Sequence, residues 1–224
     1  MTIAALFMPF ALFQAGAAVD PPSDNNARFR QCVAQIESHP DRAYEDGMAW
    51  AAETHSLLGY RCAAMALVGE HRYEEAARRF QSLATALSPD LTALRAELFS
   101  QAGNTYLLDH NPTSARSAFT LAIATVHGDR EQLPDLLIDR ARAYAMERDY
   151  RHAEEDLSQS LDIRPNDALA LRLRANARMQ QSSFDLAEAD AQAAVRLEPR
   201  NVDNLLVLGN VRESKRTGAP VQEQ

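Results

Sequence analysis

Residues 136–165 read LLIDRARAYAMERDYRHAEEDLSQSLDIRP, and residues 169–199 read LALRLRANARMQQSSFDLAEADAQAAVRLEP. The two stretches carry one pattern. Pro165 and Pro199 close them 34 residues apart, Ala141 and Ala175 sit in the first halves, and Tyr150 and Phe184 open the second halves. Ala153 and Ala187 follow at the same offset. Self-similarity at a fixed period of this size marks a stack of like units. Leu137, Ala141 and Tyr144 recur four and then three residues apart, so they share one helix face. Tyr150, Ala153 and Leu157 do the same on the following helix. A pair of such helices has apolar surface on more than one side, which only a neighbouring pair can cover.

The pattern resembles the tetratricopeptide repeat. Its signature is met by Leu137, Ala141, Tyr144, Ala153, Leu157 and Pro165. It departs at Arg140 and Arg174, where that family usually has Leu, at Arg178 in place of Tyr, and at Ala191 in place of a large residue. The resemblance implies an all-α fold, a right-handed superhelical solenoid of antiparallel helix pairs. It also implies a non-enzymatic protein–protein interaction scaffold that binds a partner segment in the concave groove of the first helices. In such repeats, first-helix positions one turn apart face the groove. Here those positions hold Ile138 and Arg142 in one copy and Arg172 and Asn176 in the next. Two guanidinium groups and an amide suit an acidic or carboxylate-bearing segment. The competing expectation is that these arginines pair with neighbouring acids such as Asp139 or Glu147.

Working outward, the same offsets reappear upstream. Tyr60, Ala64 and Leu67 precede Tyr73, Ala76 and Phe80, and Phe99, Gly103 and Tyr106 precede Ala115, Phe119 and Ala122. Asn111-Pro112 is a helix start, with Asn as cap and Pro in the first turn. The repeats are therefore placed at 57–90, 91–127, 134–167 and 168–201, within a domain spanning 27–216. A degenerate helix pair at 27–54, carrying Trp50, is expected to cap the N-terminal end, and a lone helix at 202–215 to close the other. Residues 20–26 (DPPSDNN) read as a linker and 217–224 as a flexible tail. Residues 1–19 (MTIAALFMPFALFQAGAAV) hold an uncharged run from Ile3 to Phe13, followed by the small residues Ala15-Gly16-Ala17. This is signal-peptide architecture and points to a periplasmic or secreted protein of the bacterial envelope. The run is shorter than the ~20 residues of a spanning helix, so no integral membrane segment is expected after signal removal.

Charge and motif searches narrow the function class. The net charge of −8 disfavours nucleic acid as a partner. No phosphate-cradling glycine loop, metal-ligand spacing or nucleophile elbow occurs among the eight glycines and six histidines, so no cofactor or metal is expected. The acidic runs Glu154-Glu155-Asp156 and Glu188/Asp190 alternate with Arg and read as a solvated face with i,i+4 pairs. Cys32 falls on the first expected helix and Cys62 on the third, adjacent in a helix-pair stack. They are either a disulfide or two small buried hydrophobes. Two other function classes stay open. One is an envelope-associated enzyme or processing factor, marked by a clustered His/Glu/Ser pocket. The other is a self-associating assembly factor, marked by an exposed apolar end face.

Overall fold

A computed structural model of the chain describes residues 25–126 and 130–221, so the signal-peptide expectation at 1–19 lies outside the described residues. The described residues form eleven α-helices and no strand. The first six are α1 (Asn25–Ile36), α2 (Pro40–Thr54), α3 (Leu57–Gly69), α4 (Tyr73–Ala86), α5 (Thr92–Leu108) and α6 (Pro112–Val126). They are followed by α7 (Leu133–Met146), α8 (Tyr150–Ile163), α9 (Ala168–Gln180), α10 (Phe184–Leu197) and α11 (Val202–Thr217). The first helix begins at Asn25, inside the stretch read as linker, and α11 runs to Thr217 before Gly218 ends it in the left-handed region.

Each helix packs on its neighbours in sequence, and α5 with α7, α7 with α9, and α9 with α11 also touch. These first helices form the inner layer of the stack. Short polar side chains start several helices of both kinds. Ser56 accepts from the Gly59 N–H, Asn111 from Ser114, Asp149 from His152, Asp167 from Ala170 and Asn201 from Asp203 and Asn204. The turns inside the four repeats are alike. His71, His110, Arg148 and Ser182 each take φ between 53° and 62° at the middle of a three-residue turn. With His55 after α2, three histidines among the described residues take this conformation, which histidine tolerates better than most side chains.

The core is set by small residues at helix crossings. Ala64, Gly103, Ala141 and Ala175 are each followed sixteen residues later by Phe80, Phe119, Leu157 and Ala191, and these alanines and their partners are all buried. At Gly103 the fit is tightest, since a Cβ there would lie 2.5 Å from the Phe119 ring. Between α2 and α3 the backbones themselves meet, with a Cβ on Gly59 falling 2.8 Å from the Ala51 nitrogen.

The arginines that depart from the repeat signature are explained one position earlier. Arg140 donates from Nε to Asp156 at 2.8 Å and from Nη2 at 2.7 Å, and Arg174 does the same to Asp190 at 2.8 and 2.9 Å. Arg178 adds a third donor to Asp190 at 2.8 Å and reaches Glu154 at 2.7 Å. Asp156 and Asp190 are 3% and 6% exposed, so the solvated-face reading fails for both. Their partners lie across a helix crossing, not along the same helix.

Cys32 and Cys62 are joined as a disulfide between α1 and α3, with Cα atoms 6.3 Å apart, inside the usual range for such a bridge. No helix among the described residues is long and apolar enough to cross a membrane.

Gly103→Ala is expected to destabilise the fold by about 1–3 kcal/mol, because the completely buried Phe119 ring has nowhere to retreat. In a chain of this size that lowers the melting temperature by several degrees. A thermal midpoint equal to wild type would show that α5 and α6 do not cross at Gly103.

Candidate functional site

The residue that follows the small crossing residue of each first helix points to the inner face. It is Met65 in α3, Asn104 in α5, Arg142 in α7 and Asn176 in α9. Asn104 and Arg142 are in contact, Nη1 donating to Oδ1 at 3.4 Å, and Arg142 and Asn176 line one small crevice with Tyr150 and Leu173. Met65 and Asn104 line a much larger crevice of about 510 Å³. It opens where α3 and α5 approach less closely than the later first helices do. Its walls are Val33 and Ile36 of α1, Met65 and Val68 of α3, Phe80 of α4, and Gln101, Asn104 and Thr105 of α5, with Glu37 at the edge. Gly69 is required there, since a Cβ would fall 2.8 Å from the Ile36 side chain. The size and mostly apolar lining suit one or two bulky side chains of a ligand. A crevice of similar volume, about 520 Å³, lies on the α4 side beside Tyr60, Arg79 and Leu83. Arg79 is held there by the Tyr44 hydroxyl at 2.8 Å and Glu75 at 3.1 Å.

The four residues expected from the sequence to line the groove are placed as follows. Arg142 and Asn176 do sit together. Arg172 lies apart from their crevice and pairs with Asp203 of α11. Ile138 is 4% exposed and packs among Ala141, Leu157 and Leu171, so it has no surface to offer a ligand, which corrects the groove assignment for that residue. Arg142 pairs with Asp139 at 3.1 Å, the competing partner named from the sequence, while Glu147 instead accepts from Arg116 at 2.8 Å. Asp139 also accepts from Asn104 at 3.2 Å. Burial pushes the Asp139 carboxyl above the usual range, against the pull of Asn104 and Arg142. Arg61 and Glu97 pair between α3 and α5. Every guanidinium just named on the inner face therefore has a carboxylate of this chain beside it.

The sequence reading missed Met65, Gln101 and Asn104. The signal was available, because Met65 and Asn104 occupy the repeat positions of Arg142 and Asn176 in the earlier copies.

Other chemistry is sparse. His152 Nδ1 donates to the Asp149 carboxylate (2.6 Å) and the ring stacks on Tyr144 with centroids 5.2 Å apart, a contact at a helix start. Among the described residues no three His, Cys, Asp or Glu side chains are placed to hold a metal ion. At the far end, α11 buries Asn204, Val211 and Ser214 and turns outward Val202, Leu205 and Leu206, which are 74%, 47% and 60% exposed. Nothing lies within 4 Å of a Cβ on Gly209.

No protein-family model and no curated protein matches the sequence of this chain. Solved structures do match its backbone. YrrB, described as a TPR protein with an unusual peptide-binding site, aligns with a TM-score of 0.57 and 18% identity over 77% of this chain and 85% of its own. The Hsp90 co-chaperone Cns1 from Saccharomyces cerevisiae aligns with a TM-score of 0.54 and 23% identity, over 57% of this chain and 41% of its own. The first TPR of Spaghetti (RPAP3), bound to the HSP90 peptide SRMEEVD, aligns with a TM-score of 0.50 and 22% identity, over 54% and 93%. At such identities the likeness carries the fold and not the ligand. By its repeat register and its backbone, this chain has the tetratricopeptide-repeat fold.

Proposed function

We propose that the chain is an exported protein–protein interaction scaffold whose inner face takes an extended partner segment. The observation that carries this reading is the 510 Å³ crevice at the inner-face positions of α3 and α5. An apolar side chain of the partner fills it, excluding water from Met65, Val68 and Ile36. Asn104, Arg142 and Asn176 then hold the partner's backbone along the strip leading away from it. The solved neighbours support a peptide ligand in kind, one of them being bound to the peptide SRMEEVD. An acidic segment at Arg142 and Arg172 would have to displace Asp139 and Asp203. The enzyme alternative asks for a clustered His/Glu/Ser pocket, whereas neither large crevice is lined by a histidine.

Peptides selected from a random display library against the whole chain provide the test. Met65→Asp, with the fold checked by circular dichroism, should weaken the selected peptide at least about ten-fold, or ~1.4 kcal/mol. Tyr60→Ala, in the crevice beside α4, should leave affinity unchanged. The opposite ranking would move the site to α4.

Export rests on the 1–19 stretch and is supported by the Cys32–Cys62 pairing, which persists in oxidising compartments. The native protein should begin near Ala18 by intact mass and fractionate outside the cytoplasm. A cytosolic species that retains Met1 would end this part of the reading.

A second reading, self-association, is favoured by the outward face of α11. Leu205 and Gly209 occupy the repeat positions of Leu137 and Ala141, which α8 covers in the third repeat. On α11 no second helix covers them among the described residues. Sedimentation equilibrium should then show a dimer that Val202→Asp with Leu206→Asp dissociates. A monomer at every concentration rules it out.

A further inference from the structure

The first helix is held differently from every other. Cys32 is its one buried residue, and the helix packs on α2 and α3 alone among its closer contacts. Its other core-facing side chains, Phe29 and Ile36, are only partly covered. Yet α1 supplies Val33 and Ile36 to the wall of the inner-face crevice. The disulfide to Cys62 is thus the covalent anchor of a weakly packed helix that shapes the candidate site. A cleft of about 240 Å³ runs between α1 and α2 down to Cys32, lined also by Gln31, Gln35, Gly47 and Trp50. Arg28 and Asp46 also line it, Arg28 lying 4.9 Å over the Trp50 ring and 3.7 Å from the Glu53 carboxylate. The two cysteines are unequal, since Cys32 lines the cleft and is 6% exposed, while Cys62 lies outside it and is fully enclosed.

We propose that Cys32–Cys62 is an exchangeable disulfide, entered through the α1/α2 cleft by the thiolate of a dithiol reductant, and that opening it releases α1. The incoming thiolate attacks Cys32 Sγ, the S–S bond breaks, and Cys62 leaves as a thiolate and takes up a proton. The second thiol of the reductant then attacks the mixed disulfide, freeing Cys32 and oxidising the reductant to its own disulfide. Two electrons pass to the protein, and both cysteines end as thiols. With α1 detached, the crevice loses Val33 and Ile36. Only this last consequence rests on the function proposed above, under which partner binding requires the oxidised chain.

The test needs no partner. The folded chain is treated with dithiothreitol, alkylation confirms two free thiols, and hydrogen exchange is compared with the oxidised form. Amides of α1 should lose protection at least about ten-fold while those of α5 to α10 keep theirs. Cys32→Ser with Cys62→Ser should reproduce this without reductant. Trapping on the oxidised chain tests the entry route. Brief reaction with a monothiol, then quenching and alkylation, should leave the mixed-disulfide adduct on Cys32 and the alkylated thiol at Cys62. Unchanged α1 protection with both thiols free would overturn the anchoring, and a first adduct on Cys62 would overturn the route. If dithiothreitol reduces the bridge only once the whole chain unfolds, the exchange proposal fails. Loss of peptide binding by Met65→Asp is independent of all three outcomes, so the two readings fail separately.

Discussion

Two helix backbones pass at close range only where one of them carries little or nothing beyond Cβ, and this constraint organises the stack. In each repeat a small residue on the first helix is matched by a residue sixteen further on, from Ala64 with Phe80 to Ala175 with Ala191. Where the first partner shrinks to Gly103, the second is a fully enclosed phenylalanine. Overpacking and voids both destabilise such a crossing, so the first position stays small while its partner, from Ala191 to Phe80, is sized to the local fit. The close crossing also sets the short three-residue turns. A helix end brought this near its partner leaves room for one left-handed residue and little else, a place taken by His71, His110, Arg148 and Ser182.

One register step earlier, the last three repeats use two solutions. In the second repeat Ala102 faces the position of Ala118, both fully buried. In the third and fourth repeats the same pair of positions holds Arg140 with Asp156 and Arg174 with Asp190. Removing two charges from water costs several kcal/mol per ion, which bidentate geometry offsets without a large net gain. What the pair adds is register. Sliding one helix by a residue leaves both charges buried without partners, at about 3–5 kcal/mol. Each arginine also reaches the preceding second helix, Arg140 at Thr120 and Arg174 at Ser158, so one side chain ties three helices.

The period, the helix-pair units and the cap residues were legible in the sequence because each depends on residues within one turn or one repeat. Asn111 is the example, capping a helix whose start lies in the next residue. The burial of Asp156 was not legible. Its partner is sixteen residues away, across a crossing, while Glu-rich neighbours at i,i+4 spacing imitate a solvated face. Ile138 was misplaced for a related reason. A repeat position fixes which helix face a residue occupies, but Leu171 and Leu157 decide whether that face is open. The crevice itself depends on a gap between α3 and α5, which no single helix encodes.

The electrostatics of the inner face follow from the same geometry. Successive first helices are tied by Arg61 with Glu97, by Asn104 with Asp139 and by Arg172 with Asp203. An incoming carboxylate therefore meets arginines whose partners are attached to the same fold and present at high effective concentration. It must displace one acid to bind, and the gain is the difference between two similar contacts. An apolar side chain entering between α1, α3 and α5 displaces only water, and the full transfer term of about 25 cal/mol per Å² remains for binding. Under the proposed function, binding strength on this face is thus weighted toward the end that the disulfide holds, with the polar strip from Asn104 to Asn176 setting the direction of the bound segment.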